Sequence, residues 1–283
     1  MFRPFSALRM SCCCRGLLVA RKGGAEVEYE TLMKHRKIIG ESAEFSFVDI
    51  ASSNGVSQSA IWPLLDSFSS VSGLACEVDS GKFATLSLMY SRYPDVGLHR
   101  GEPNPTNVCD MLRAHRVAKE FQVLNFDIDS YDLELLQAIL RGGWKPHIIS
   151  LEINEKIPPP IYFNVLYRPG TRWDGSHFYG CSISAALEGL RDYPYAAVEL
   201  AGNNLILLES SLLDKQFQAL TADDLFGSGY RDVAGRDVHF PWNRDVDDWL
   251  TMESEDAMRA IRLHFSEFPK DAFVLRRALS SDR

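Results

Sequence analysis

Oxygen-bearing side chains follow two apolar runs in the middle of the sequence, at the point where each run ends. Asp127 and Asp129 follow the first run, and Glu152 and Asn154 follow the second. Carboxylate and amide oxygens are the ligands that hard divalent ions prefer. A carboxyl group whose pKa is raised by a neighbouring like charge can also act as a general base. If the fold brings the two positions together, the pattern predicts either a metal site or an acid–base site.

A helical pattern separates the two runs and predicts how the chain connects them. Leu133, Leu136 and Leu140 recur at helical spacing, and Gly142 and Gly143 end the helix. A strand, a helix and a strand within about 30 residues form a parallel βαβ unit. Ligands of open α/β sheets bind at the carboxyl ends of the strands. We therefore expect the oxygen-bearing side chains at the mouth of one crevice.

A second strand–turn–helix pattern lies nearer the N-terminus. The apolar segment FSFVDI contains Asp49 near its end, and the small residues Ala51, Ser53 and Gly55 form the turn that follows. Such a turn places backbone N–H groups at a helix start, where they can accept an anion or a ligand carboxylate. The next predicted strand closes with Glu77, and a carboxylate there can accept both hydroxyl protons of a ribose.

Two interpretations of this turn remain open. A full glycine fingerprint is absent, because Ala51 and Ser53 stand where glycines are expected and tolerate positive φ poorly. The turn is therefore either a nucleotide-type site of altered sequence or a structural connection with no ligand.

An aromatic loop follows three consecutive prolines at 158–160. Its rings either cover the crevice as a lid over an acceptor or pack on the sheet. His177 in this loop is a candidate general base, since the unperturbed pKa of histidine lies near neutrality. The alternative is an incidental loop histidine.

Composition limits the function classes. The chain has 283 residues, a net charge of −8 and a hydrophobic fraction of 46%. This negative charge disfavours nucleic acid as a partner, and no apolar run is long enough to predict a transmembrane helix. Three of the six cysteines are adjacent and the others lie singly in apolar surroundings, which favours reduced thiols in an intracellular protein over a disulfide framework. Lipidation of the triplet is the alternative.

The first 25 residues are basic and contain no acid. They predict an organelle transit peptide, such as a mitochondrial one, or a flexible basic arm of a cytoplasmic protein. Residues 26–210 are predicted to form one α/β domain. Residues 211–283 are predicted to form a helical C-terminal extension packed on it, which either caps the domain or forms a homodimer contact.

Several segments together carry a family resemblance: FVDIASSNG, ACEVD, NFDIDSYDLELLQAI, IISLEINEKIPPP and AGNNLILLE. Over about residues 40–210 the chain resembles the FkbM-type branch of class I S-adenosylmethionine-dependent methyltransferases. The resemblance implies a Rossmann-like α/β fold with helices on both faces of the sheet. That sheet has seven mostly parallel strands, the last antiparallel.

The resemblance also implies a reaction, the transfer of a methyl group from S-adenosylmethionine to an oxygen of a small molecule or glycan. Asp49, Ala51, Ser53 and Gly55 would then hold the methionine end of the cofactor, and Glu77 the ribose. Asp127 and Asp129 would face the sulfonium and the acceptor. Some related O-methyltransferases are metal-dependent, so Asp129, Glu152 and Asn154 are candidate ligands for Mg²⁺ or another divalent ion.

Two rival functions remain. The altered turn at Ala51 and Ser53 favours a methyltransferase fold kept as a non-catalytic binding or scaffold module. Another nucleotide-using α/β enzyme, such as an NAD-linked one, is disfavoured because the glycine fingerprint is missing.

Overall fold

The computed structural model describes residues 34, 44–56, 59–214 and 217–279. The basic segment predicted at 1–25 lies outside these residues, as does most of the stretch before the first strand. No helix in the described part of the chain is long and apolar enough to cross a membrane.

The strands occur in the chain order β1 (Glu44–Ile50), β2 (Ser70–Glu77), β3 (Val96–Arg100), β4 (Glu120–Phe126), β5 (Lys145–Glu152), β6 (Ile161–Val165), β7 (Tyr195–Ala201), β8 (Asn204–Glu209) and β9 (Phe273–Arg277). The helices are α1 (Trp62–Leu65), α2 (Ser80–Tyr90), α3 (Val108–Ala114), α4 (Asp132–Arg141), α5 (Ile183–Leu190), α6 (Ala222–Phe226), α7 (Arg236–His239) and α8 (Ser254–His264). Two 3₁₀ segments (Ser210–Leu212 and Pro241–Leu250) and a π-helical turn (Gly227–Arg231) complete the C-terminal part.

Seven strands form one sheet in the order β3-β2-β1-β4-β5-β8-β7. The first five pair in parallel, whereas β8 runs antiparallel to both β5 and β7. This arrangement confirms the predicted Rossmann-like sheet with its last strand antiparallel. The carboxyl ends of β1, β2, β4 and β5 consequently lie along one edge of the sheet.

Helices cover both faces of the sheet, as predicted. On one face, Leu112 of α3, Leu136 of α4 and Ile183 of α5 belong to a buried cluster with strand residues. On the other face, Leu64 of α1 and Leu86 of α2 pack in a second cluster. The strands are apolar on both sides because both of their faces are buried.

The C-terminal extension is mainly helical and contains a strand that the sequence analysis did not identify. β9 pairs antiparallel with β6, from Ile161 opposite Arg277 to Val165 opposite Phe273. A third apolar cluster forms around this pair, in which Phe163 meets Ile261 and Phe265 of the α8 region. The extension is therefore attached to the chain segment that follows β5.

Gly73 marks the tightest approach between two strands of the sheet. Its φ is +154°, and a Cβ atom placed there would lie 2.1 Å from the backbone oxygen of Phe47 on β1. A side chain at this position would force β1 and β2 apart, just below the strand ends that carry Asp49 and Glu77.

We predict that Gly73→Ala lowers the free energy of unfolding by about 3 kcal/mol or more, because the clash is with backbone. The matched control is Gly143→Ala, where φ is +85° and no atom lies within 4 Å of the added Cβ. This control is expected to lose only about 1–2 kcal/mol, from the left-handed conformation alone. Chemical denaturation measures both values, and equal losses would contradict the prediction.

Candidate functional site

A cavity of about 410 Å³ lies at the carboxyl ends of β1, β2 and β4. Its walls carry five carboxyl groups and two cationic groups: Asp49, Glu77, Glu102, Asp127, Asp129, Lys82 and Arg172. A volume of this size is within the range of small-ligand and cofactor sites. The excess of carboxyl groups favours a ligand with positive charge.

Asp49 ends inside this cavity with one carboxylate oxygen unpaired. The side chain is 1% exposed, and Asn125 Nδ2 donates to Asp49 Oδ1 over 2.9 Å. Asp49 Oδ2 is buried and has no hydrogen-bond partner among the described residues. Burial raises the pKa of Asp49 to about 6, against the opposing effect of the hydrogen bond from Asn125. A buried acceptor without a partner favours a ligand that brings a donor.

The turn after β1 adopts a left-handed backbone conformation although it lacks two of the expected glycines. Ala51 has φ +66° and Ser53 has φ +53°. Two hydrogen bonds of Ser52 hold the turn: its N–H donates to Cys76 O over 2.8 Å, and its Oγ donates to Asp49 O over 2.8 Å. Ala51 and Ser53 both line the cavity, where their small side chains permit a close approach to the backbone.

Gly55 has a packing role in the same turn and is not among the residues that line the cavity. Its φ is +76°, and an added Cβ would lie 2.5 Å from Leu86 Cδ1 and 2.9 Å from Tyr90 Cε2. Glycine therefore lets the turn rest on α2 without displacing these two side chains.

Glu77 lies at the end of β2, on the neighbouring wall of the cavity. It is 5% exposed, and its Oε1 accepts a hydrogen bond from the N–H of Asp79 over 2.7 Å. This bond fixes the carboxylate on the cavity side, where the sequence analysis places a ribose-binding group.

The predicted acids of β4 and β5 meet. Asp127, Asp129 and Glu152 each present an oxygen within 4.8 Å of the others. Glu152 Oε2 accepts from the N–H of Asp129 over 3.2 Å, and its Oε1 accepts from Asn203 Nδ2 over 2.9 Å. Asp129 has φ +55°, so the turn that points it at Glu152 is strained. We name these three residues the acidic cluster.

Burial and mutual repulsion shift the protonation of the acidic cluster. Loss of water and, to a smaller extent, the charge of Asp127 together raise the pKa of Asp129 to about 7, against the opposing charge of Lys82. Burial, followed by the charges of Asp127 and Asp129, raises the pKa of Glu152 well above its ordinary value. At neutral pH the cluster therefore retains protons unless a bound cation neutralises it.

Asp132 holds the loop between Asp127 and α4, a role that the sequence analysis missed. It is fully buried, and its two carboxylate oxygens accept from Ile128 N over 2.9 Å and from Ser130 N over 3.0 Å. Asp129 makes no such bond and lies in the acidic cluster. The sequence signal was available, since an acid in the first turn of a helix commonly binds free N–H groups.

Asn154 and His177 lie outside the cavity lining. Asn154 Nδ2 donates to the backbone oxygens of His177 and Tyr179 over 2.8 and 2.9 Å. His177 Nε2 lies 3.1 Å from Asp245 Oδ1 in the C-terminal extension, and burial lowers the pKa of the imidazole. The structure does not bring His177 to the cavity wall beside Asp129, and its role as a base remains a prediction.

Several cavity residues escaped the sequence analysis. Lys82 follows the Asp79 cap of α2, and Arg172 comes from the loop after β6. Asn125 had a usable signal, because it is a polar residue within an apolar strand. Lys82 and Arg172 had none, since a cation on a helix or loop is ordinarily solvated.

No protein-family model matches this chain, and curated protein sequences give no match. Among solved structures, the CurJ carbon methyltransferase has a TM-score of 0.42 at 11% identity, covering 66% of this chain and 54% of that chain. The N-terminal domain of EvdMO1 with SAH bound has a TM-score of 0.41 at 10% identity, covering 66% and 79%.

An S-adenosylmethionine-dependent methyltransferase from Clostridium acetobutylicum ATCC 824 has a TM-score of 0.39 at 10% identity, covering 68% of this chain and 94% of that chain. The chain spans 60% of the matched chain in the fibrillarin/Nop5p complex. The fold of this chain is therefore assigned from the order and direction of its own strands.

We predict that Asp49→Asn becomes progressively more stabilising, relative to the native protein, as pH rises. The pKa of Asp49 is raised to about 6 in the folded state. The native protein therefore loses stability as the pH rises from the pKa of Asp49 in the unfolded chain to its pKa in the folded state, and the loss remains above that pH. Between about pH 4.5 and about pH 7.5, the difference in unfolding free energy should grow by about 2 kcal/mol in favour of the variant. Urea denaturation across this range measures it, and a difference independent of pH would refute the assignment.

Proposed function

We propose that this protein is an S-adenosylmethionine-dependent methyltransferase of the FkbM type, which transfers a methyl group to an oxygen of a small molecule or glycan. One observation carries the proposal. A single cavity at the strand ends joins the unpaired carboxylate of Asp49 to the paired acids Asp127 and Asp129. A cationic cofactor and a hydroxyl acceptor need these two kinds of group side by side.

The residues present fit the cofactor. Asp49 Oδ2 is a buried acceptor without a donor among the described residues, which suits an ammonium group. Glu77, held by the N–H of Asp79, suits the ribose hydroxyls. Small side chains at Ala51 and Ser53 leave the turn backbone accessible, and the left-handed geometry is retained without glycine.

When bound, S-adenosylmethionine supplies a methyl group already activated by the sulfonium charge. The chain then has to align the acceptor oxygen and remove its proton. Asp129 suits proton removal at neutral pH because its pKa lies near 7. Asp127, which is exposed in the cavity next to it, suits the binding of the acceptor hydroxyl.

A divalent ion such as Mg²⁺ is the alternative way to neutralise the acidic cluster. The donor set consists of carboxylate oxygens within 4.8 Å of one another, as hard cations require. Asn154 Oδ1 is buried without a hydrogen-bond partner in the described part of the chain, and it stays a candidate for a further ligand. In this version Asp129 and Glu152 hold the ion, which would position the acceptor hydroxyl.

The rival proposal is a non-catalytic binding module with the same fold. It is favoured by the strained turn, because positive φ at Ala51 and Ser53 adds conformational cost. Cofactor binding separates the two proposals.

We predict that S-adenosylhomocysteine binds the native protein, with a dissociation constant in the range of about 1–100 µM. Glu77→Gln should weaken this binding about tenfold or more, because a charged acceptor of two hydroxyl protons is lost. Glu120→Gln, at the opposite end of the sheet, is the control and should bind normally. Isothermal titration calorimetry gives all three values, and absence of binding to the native protein would favour the scaffold.

We predict that Mn²⁺, used as a probe for the divalent-ion site, binds the native protein and that Asp129→Asn weakens the binding about tenfold or more. The exposed Asp256→Asn on α8 serves as the control for general loss of charge. Electron paramagnetic resonance of free Mn²⁺ measures the affinities. Equal binding by the native protein and Asp129→Asn would remove the metal version and leave Asp129 as the candidate base.

A further inference from the structure

One loop contributes lining residues to the cavity that the cofactor assignment does not use. We name residues 167–176 the wall loop, of which Thr171, Arg172 and Trp173 line the cavity. The Trp173 side chain is 47% exposed, although a large aromatic side chain is ordinarily buried in a folded protein. Arg172 is exposed as well and forms no ion pair with another described residue. The guanidinium of Arg172 and the exposed part of the Trp173 ring can therefore contact a ligand.

The first end of the wall loop is attached to the C-terminal extension. Leu166 N donates to Ala272 O over 2.8 Å, directly after the pairing of Val165 with Phe273. Arg168 then pairs with Asp271, with Nη1 and Oδ1 3.2 Å apart. The loop therefore leaves β6 beside β9 and the residues before it, and Tyr167 N also donates to Glu134 of α4.

The second end of the wall loop is attached to the same extension. His177 pairs with Asp245 of the 3₁₀ segment Pro241–Leu250. The ring of Phe178 stacks on Phe268, with centroids 3.8 Å apart and planes inclined by 6°. Both contacts join the residues directly after the loop to parts of the chain more than 60 residues away.

A buried polar network completes this attachment. Lys156 Nζ donates to the hydroxyl of Tyr179 over 2.7 Å, and that hydroxyl donates to Glu155 Oε2 over 2.9 Å. Asn243 of the extension donates from Nδ2 to Glu155 Oε1 over 2.6 Å. Glu155, Lys156 and Asn243 are at most 1% exposed. Because an unpaired buried charge is costly, loss of one partner would destabilise this network.

Tyr179 connects the network to the cavity. Its ring meets Trp173 edge to face, with centroids 6.3 Å apart and planes inclined by 80°. The indole Nε1 of Trp173 also donates to Ser176 O over 2.7 Å. The Trp173 side chain thus packs on Tyr179, whose hydroxyl donates to Glu155, and Glu155 in turn accepts from Asn243 of the extension.

We propose that the C-terminal extension holds the acceptor-side wall of the site, with Asp245 and Tyr179 as positioning residues and with Arg172 and Trp173 as the residues that select the acceptor. The identification of this wall as the acceptor side rests on the proposed function. The positioning of Trp173 by the extension does not depend on that function. The extension is then part of the functional unit.

Acrylamide quenching of Trp173 fluorescence tests this proposal. The signal of Trp173 is obtained by subtracting the same measurement on each protein that also carries Trp173→Phe. Tyr179→Phe and Asp245→Ala should each raise the quenching constant of Trp173 about twofold, because the loop is released locally. Asp245→Glu should restore the native value, since it restores the partner of His177.

Tyr195→Phe is the matched control. It removes a tyrosine hydroxyl that donates to Pro146 O at the opposite end of the sheet, so it should leave the quenching constant of Trp173 unchanged. Circular dichroism verifies folding. Because Asp245 is exposed, Asp245→Ala is expected to fold, so the test remains valid if Tyr179→Phe does not fold. Native quenching in Asp245→Ala would overturn the proposal.

The same variants are then titrated with S-adenosylhomocysteine. Affinity within about twofold of the native value is expected, because the cofactor residues lie on β1 and β2 and not on the wall loop. Absence of binding to the native protein would refute the proposed function without affecting the quenching result. A large loss of affinity in Asp245→Ala would contradict a role restricted to the acceptor side.

Discussion

Burial of neighbouring carboxyl groups at one edge of a parallel sheet is the constraint around which this structure is arranged. Asp49, Asp129 and Glu152 lie where water is scarce, and burial raises the pKa of each. Such an arrangement opposes folding, so the rest of the molecule has to stabilise it. The two apolar clusters that sandwich the sheet supply that stability, and the amides of Asn125 and Asn203 fix individual oxygens.

The strained turn shows the same balance between local cost and global packing. Ala51 and Ser53 adopt positive φ, which is unfavourable for residues with a Cβ atom. The hydrogen bonds of Ser52 and the packing of Gly55 on α2 hold the turn in place. A turn without glycine at Ala51 and Ser53 therefore still adopts left-handed geometry at both residues, supported by the bond of Ser52 to Cys76 and by the packing of Gly55.

The sequence allowed the sheet and the meeting of Asp129 with Glu152 to be predicted, because both follow from strand topology. Parallel strands place their carboxyl ends at one edge, so residues directly after two adjacent strands must be neighbours. The binding partners were not predictable in the same way. Asn203 reaches Glu152 from a hairpin about 50 residues later in the chain, and Trp173 reaches the cavity from a loop without periodicity.

Other features depended on contacts at long sequence separation. β9 was missed because a short strand beyond a helical extension pairs only with β6, outside the main sheet. His177 attracted notice for its chemistry, yet its nearest charged partner is Asp245, which no local pattern connects to it. Local sequence patterns predict helices and strands well, but they predict the contact partners of loop side chains poorly.

The hairpin of β7 and β8 has a consequence for how the chain is made. Its tip touches β5 twice, since Ile153 N donates to Asn203 O over 2.8 Å and Asn203 Nδ2 donates to Glu152. Until these late residues have left the ribosome, β5 is an uncovered border strand that invites association with other chains. Glu152 also lacks its amide partner during that interval. The step that covers β5 is thus the step that gives Glu152 its amide partner, so a nascent chain protects this strand and completes the acidic cluster together.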